Sequence, residues 1–250
     1  MKKAVIILSS LLFLAGLVVL LYPMLRTTAF RQAEKETLRR FEQYRETASS
    51  PTEEDPSTEE AEEAMAFPEL WAACVAYNEA LVPSQQSNFT AQAWEEPAIC
   101  LADYGWKQVI FGYITIPSAD IEAPLYLGGS MANLNTGAAI LGQTSMPIGG
   151  ESTHCVIAGH RTWNAILHPF VGLEKVQAGD LVCLTNPWQT LTYRVETVEI
   201  IFPDDSEKIR IQPGRDLLSI ITCTYPNTRR VLVTCERIKD ETVAADKDLQ

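Results

Sequence analysis

Between Lys3 and Arg26 the chain runs through 22 consecutive uncharged residues, AVIILSSLLFLAGLVVLLYPML. A bilayer core asks for about 20 apolar residues in a helix, with a range of about 17–25. Ala4 to Leu21 alone supplies 18, and Tyr22 extends the run at an interfacial position. A cleaved leader typically has a shorter apolar stretch, about 7–15 residues, and then a small-x-small site. Tyr22-Pro23-Met24-Leu25 offers no such site. Residues 1–26 therefore read as an uncleaved signal anchor, the alternative being a cleaved signal. Lys2 and Lys3 then stay inside and the remaining chain lies outside. A single span is expected, because the end of the chain, KDETVAADKDLQ, is polar.

With the anchor set aside, charge narrows the function. The net charge is −12 with a pI near 4.7, and no basic stripe exists to neutralise phosphates, so no nucleic acid is expected as a partner. From Glu46 to Glu63 there are eight acids and no Lys or Arg. That describes a segment rather than a binding surface. Residues 27–49 alternate charges with Phe30, Ala33, Leu38, Phe41 and Tyr44, which predicts a juxtamembrane helix with a narrow apolar stripe. Residues 49–63 read as a solvated linker, and 64–81 as a second helix. Residues 83–106 are irregular and too long for an ordinary connection, and loops of that length are usually functional or disordered. Together 27–106 form an extracytoplasmic extension, and 241–250 a polar tail.

From Lys107 to residue 240 the texture changes to short strands separated by turn signals. They are expected at 109–116, 123–127, 138–141, 153–158, 181–185, 191–202, 208–211, 216–222 and 230–238, with short helices at 131–134 and 162–170. This is a mainly β pattern that suits a closed or nearly closed barrel rather than a βαβ sheet.

Six cysteines in an exported chain first suggest disulfides. Their spacing shows no CxxC and no zinc-ligand pattern. Cys74 and Cys100 precede the barrel and could pair, while the others sit singly in apolar runs, as small core residues do. Cys223 ends such a run, in LLSIITC, and Arg230 opens the next one seven residues later. A thiol is mostly protonated at neutral pH and needs a neighbouring His or Arg to act as a nucleophile. His154, His160 and His168 are the three histidines, and His160 stands where STHCVIAGH ends an apolar run. From the residues alone, Cys223 and His160 are a candidate pair. A core cysteine, a capping histidine and a solvated arginine pair would look the same.

The segment SIITCTYPNTRRVLV resembles the T-L-x-T-C, turn and Arg signature of sortases, and GESTHCVIAGHRTW is similar to the segment that carries their histidine. FGYITIP, PLYLG, GQTSMPIGG, GLEKVQAGDLV and LTYRVETVEIIFPDD match successive barrel strands in family order, so the likeness runs from about Ala72, with AYNEAL, to Ile238. STH, the NT followed by basic residues, and the long helical extension are most similar to class C, the pilin-polymerising sortases.

The resemblance implies a sortase-type eight-stranded β-barrel behind an N-terminal transmembrane helix and helical extension. It implies Cys223 as nucleophile, His160 as general acid/base and Arg230 as stabiliser of substrate or oxyanion. The expected reaction is cysteine transpeptidation of LPXTG-like sorting signals at Thr-Gly, on the surface of a Gram-positive cell. The acceptor would be a pilin lysine or, in a housekeeping-type enzyme, a peptidoglycan-precursor amine. No cofactor and no metal are implied; Asp204, Asp205 and Glu207 are weak candidates for calcium and read first as a polar turn. A surface barrel that binds a partner without catalysis is the non-enzyme alternative. The sequence departs from class C in three ways. The turn after Cys223 is short, a second C-terminal span is missing, and the usual Asp-Pro-aromatic lid anchor is replaced by AWEEPA. Trp94, Glu95, Glu96 and Pro97 are the residues in the lid's place.

Overall fold

The computed structural model describes residues 2–49, 65–84, 86–163 and 166–238. The expected linker lies mostly at residues 50–64 and the expected tail at 239–250, both outside the described residues. Helix α1 (Lys2–Ser49) carries the apolar run into the charged segment without a break. It is long and apolar enough to cross a membrane, and its most apolar window, of mean hydropathy 2.8, packs against nothing else. The second half of α1 lies on the barrel. Leu38 and Phe41 are buried, with the Phe41 ring 5.9 Å from those of Trp106 and Tyr113. Tyr44 stacks on Phe67 at 5.8 Å. Of the narrow apolar stripe expected from sequence, Phe30, Leu38, Phe41 and Tyr44 are buried or half-buried, while Ala33 is exposed.

Glu34 is an exception on that buried face. It is 7% exposed and its Oε1 has no hydrogen-bond partner. Burial, opposed by Arg31 and reinforced by Glu122, raises its carboxyl to about 8. A carboxyl raised on folding favours the folded state below its ordinary pKa, and that contribution is lost as pH climbs toward 8. Glu34→Gln should therefore raise the melting temperature of the solubilised protein at pH 8.5 and give no gain at pH 4. Calorimetry at the two pH values reads this directly.

Helix α2 (Pro68–Leu81) starts later than expected, with proline in its first turn, where a missing N–H costs nothing. Its buried Asn78 accepts from Met146 N at 2.6 Å and donates to Met146 O at 3.2 Å, which ties the extension to the barrel. The irregular stretch after it contains a short helix α3 (Ala91–Glu95), capped by the Thr90 side chain on Ala93 N, and a 3-10 turn at Leu101–Tyr104.

The barrel strands are β1 (Gly112–Ile116), β2 (Ile121–Leu127), β3 (Ala138–Ile140), β4 (Thr153–Gly159), β7 (Leu181–Thr185), β8 (Thr190–Ile201), β9 (Asp216–Cys223) and β10 (Arg230–Arg237). The short strands β5 (Thr162–Trp163) and β6 (Ile166–Leu167) pair with each other outside it. The closed order is β1-β2-β3-β4-β9-β10-β8-β7. Two of its pairs, β2–β3 and β4–β9, are parallel and need crossovers. A short helix α4 (Met131–Leu134) makes the first; everything from His160 to Arg215 makes the second. Side chains alternate in and out along each strand. Ile114, Leu125, Ile157, Leu184, Tyr193, Ile220 and Val233 fill the interior.

Two expectations need correction. The described residues of 162–170 do not form the expected helix: β5 and β6 pair with each other, and Pro169 then opens a 3-10 segment to Lys175. Thr162, Trp163 and Ile166 favour extended backbone, and a proline suits only the start of a helical turn. Residues 208–211 are not a strand either, since Ser206–Ile209 is a 3-10 turn. That run buries Ile209 alone, while Lys208 and Arg210 pair with Glu199 and Glu207. Cys74 and Cys100 do not bridge: all six thiols are free, with Cys74 buried and Cys100 exposed.

Candidate active site

β9 and β10 are antiparallel and set Arg230 opposite Cys223. β4 and β9 are parallel through Ala158 opposite Ile221, so His160, two residues on, reaches the level of Cys223. The Thr222 hydroxyl donates to Gly159 O at 2.8 Å and locks these two strand ends together. Strand alternation puts Cys223, His160 and Arg230 on one outward face, above Ile221, Ala158 and Leu232. The three residues singled out in the sequence thus meet at one rim of the barrel, from three neighbouring strands.

Arg229 points elsewhere, its guanidinium 4.0 Å above the Phe202 ring. The short turn between the thiol and the arginines is internally tied. Thr224 N donates to Arg229 O at 3.0 Å, and the Thr224 hydroxyl donates to Pro226 O at 2.9 Å. This holds Arg230 in register despite the turn's brevity. Asp205 accepts from Phe202 N at 2.9 Å and Glu207 pairs with Arg210 at 2.8 Å, so these acids serve the turn before β9.

Burial lowers the pKa of His160, and its ring stands 5.6 Å from that of His168. His168 is 2% exposed, and burial and then His160 bring its pKa down to about 4. His168 also meets Phe30 of α1 at 4.7 Å. Sequence gave no sign of this contact, because His168 occupies no periodic position. His154 is a core residue: its Nδ1 bonds Arg210 O and its Nε2 bonds the Ser219 hydroxyl, both at 2.8 Å. Burial pushes Cys155 and Cys235 far above the ordinary thiol range and Cys74 up to about 12, which makes them poor nucleophiles.

Below the trio, the outward face is covered. Phe89 and Trp94, in edge contact at 5.3 Å, pack against a buried cluster of Leu141, Val156, Ile201, Ile209 and Leu232, on which Ala158 and Ile221 also pack. The segment carrying Trp94 lies directly on glycine backbone. Trp94 O accepts from Gly129 N at 2.7 Å and Gly142 N at 3.1 Å, and a Cβ on Gly142 would come within 2.3 Å of Ala93 O and Glu96 O. Pro97 and Glu95 close over Gly128 in the same way, while the Glu95 and Glu96 side chains face solvent. Gln86, buried in a left-handed conformation, fastens the segment at its other end. Its amide donates to Gln143 O at 2.7 Å and accepts from Ile211 N at 2.9 Å. Gln86 and Phe89 went unnoticed in the sequence, since a turn-rich stretch shows no periodicity.

A family model described as the sortase domain matches residues 114–238. Among solved structures, sortase C of Streptococcus pneumoniae is 31% identical, covers 82% of this chain and 97% of its own, and superposes with a TM-score of 0.63. Sortase C1 of the group B streptococcal pilus island 1 is 29% identical over 69% of this chain and 89% of its own, with a TM-score of 0.61. Curated relatives carry the name sortase A. Those of Streptococcus agalactiae and Staphylococcus aureus are 28% and 29% identical, over 51% and 49% of this chain. The chain spans 52% and 59% of the length of those two relatives.

Proposed function

Since the chain belongs to the sortase family, we propose that it is a membrane-anchored cysteine transpeptidase acting on LPXTG-like sorting signals at a Gram-positive surface. The observation that carries this reading is the register that sets Cys223 opposite Arg230 with His160 at the same level. The Cys223 thiolate attacks the threonine carbonyl, and the Arg230 guanidinium offsets the charge that develops on its oxygen. Protonated His160 gives its proton to the leaving glycine amine, the C–N bond breaks, and a thioester remains. A primary amine then attacks the thioester, loses a proton to His160, and releases the thiolate. Covalent catalysis thereby divides one amide exchange into two easier steps.

The acceptor is proposed to be a pilin lysine, on the strength of the fold's likeness to pilus-related sortase C structures. A second reading, attachment to a peptidoglycan-precursor amine, draws on the curated sortase A relatives. Incubation with a purified pilin bearing a sorting signal separates them: laddered high-mass products mark polymerisation, and a single adduct with a small amine acceptor marks anchoring.

The segment holding Phe89 and Trp94 is proposed to act as a lid over the face that receives the sorting signal. It packs on the same buried cluster as Ile221 and Ala158, which lie two residues before Cys223 and His160, and this supports the reading. Trp94→Ala should speed alkylation of Cys223 by about fivefold or more, read by peptide mass spectrometry. An unchanged rate would make the segment a plain connection.

A further inference from the structure

The direction of α1 along the barrel settles which end of the barrel meets the membrane. The catalytic rim is where β4 and β9 end and β10 begins. Phe30, early in the docked half of α1, contacts His168, the neighbour of His160 at that rim. Glu34 comes next, in a cleft with Ala119, Asp120 and Glu122 at the rim end of β2. Phe41 comes last, against Tyr113 at the opposite end of β1. The helix therefore runs from the rim downward, and its apolar half projects beyond the rim. Arg26, the first charge after the apolar run, is four residues before Phe30, about 6 Å along a helix.

On the far side of the same rim lies an apolar patch. β7 pairs with β8 only as far as Arg194, leaving that edge of β8 without β7 from there to Ile201. Val198 and Ile200 are 38% and 65% exposed there, and Phe202, just beyond the strand, is 50% exposed. Tyr225, in the turn after Cys223, is 87% exposed. Arg229 lies over Phe202, so the patch joins aromatic rings to a cation. Aromatic side chains prefer the interface of a bilayer, and cations near the surface are attracted by anionic lipid.

We propose that this patch is a membrane-docking surface: Ile200, Phe202 and Tyr225 rest in the interface of the outer leaflet, with Arg229 among its phosphates. The occupant is the bilayer rather than a protein, because the anchor leaves the barrel at this same end and only about one helical turn separates Arg26 from Phe30 at the rim. The inference rests on the proposed reading of α1 as a membrane span. It adds that the catalytic rim faces the lipid, so that the enzyme meets substrates at the membrane surface.

The test uses the full chain in nanodiscs of phosphatidylglycerol, one protein per disc, with amide hydrogen exchange as the readout. Peptides covering 198–203 and 224–229 should exchange about tenfold more slowly than in a variant with eleven helix-forming residues inserted after Arg26. That insertion lifts the rim by about 16 Å. Equal exchange in the two proteins overturns the proposal, and so does slowing that persists in the lifted variant, as a contact between copies would give. Failure of the protein to enter the discs would instead overturn the anchor reading. As a second measurement, the triple variant Ile200→Ser, Phe202→Ser, Tyr225→Ser should turn over a soluble sorting-signal peptide normally. It should process a substrate tethered in the same disc about tenfold more slowly. Equal loss on both substrates would also overturn the proposal.

Discussion

Cys223→Ala abolishes thioester formation with a sorting-signal peptide, and no other cysteine takes over. The expected loss is complete, because without a thiol there is no acyl-enzyme to resolve. Cys155 and Cys235 lie in the barrel wall with 2% and 0% exposure, and burial holds both thiols well above the ordinary range. Cys74 is buried on α2 and Cys100 is exposed in the extension, away from His160 and Arg230. Intact-mass spectrometry after incubation with a peptide substrate measures the adduct. An adduct of normal yield in the variant would refute the assignment of Cys223, and its position would identify the true nucleophile.

Arg230→Ala should lower kcat/KM by about a hundredfold to a thousandfold, the range seen when one donor to a developing oxyanion is removed. Its backbone position is opposite Cys223, in a strand pinned on both sides by β8 and β9. Arg230→Lys should recover only a small part of the loss. A lysine keeps the charge but not the planar fork of donors. Arg229→Ala is the control: its guanidinium is engaged with Phe202, and its removal should change turnover of a soluble peptide by less than about threefold. Steady-state kinetics on the four proteins decides the matter. If Arg229 rather than Arg230 carried the larger effect, the register argument would be wrong.

Much of this arrangement is legible in the sequence, for physical reasons. Strands covered on both faces write a short apolar run into the chain, as in THCVIAG and RVLVTCER. Their ends are marked by the first residues that break it, and here those are His160 and Arg230. The apolar half of α1 was visible because its run of uncharged residues is unbroken and long enough to cross a bilayer. What stayed hidden is what depends on distant packing. Nothing local to Gln86 announces a bridge between residues 143 and 211, and nothing near His168 announces Phe30. The misread hairpin at 162–167 has two-residue strands, too short for any period to emerge.

The parallel pairing of β4 with β9 has a consequence for how the enzyme comes into being. His160 and Cys223 are 63 positions apart in the chain, yet their strands are immediate neighbours. Closing so long a loop is slow compared with forming hairpins. In synthesis from the N-terminus, and in export if α1 is the proposed anchor, the helix, the first strands and the histidine emerge well before β9 and β10. A chain caught part-way outside holds half of its chemistry and no nucleophile opposite an arginine. On the proposed assignment of His160, Cys223 and Arg230, reactivity would be switched on only by completion of the barrel, and a chain truncated before β9 should be catalytically silent.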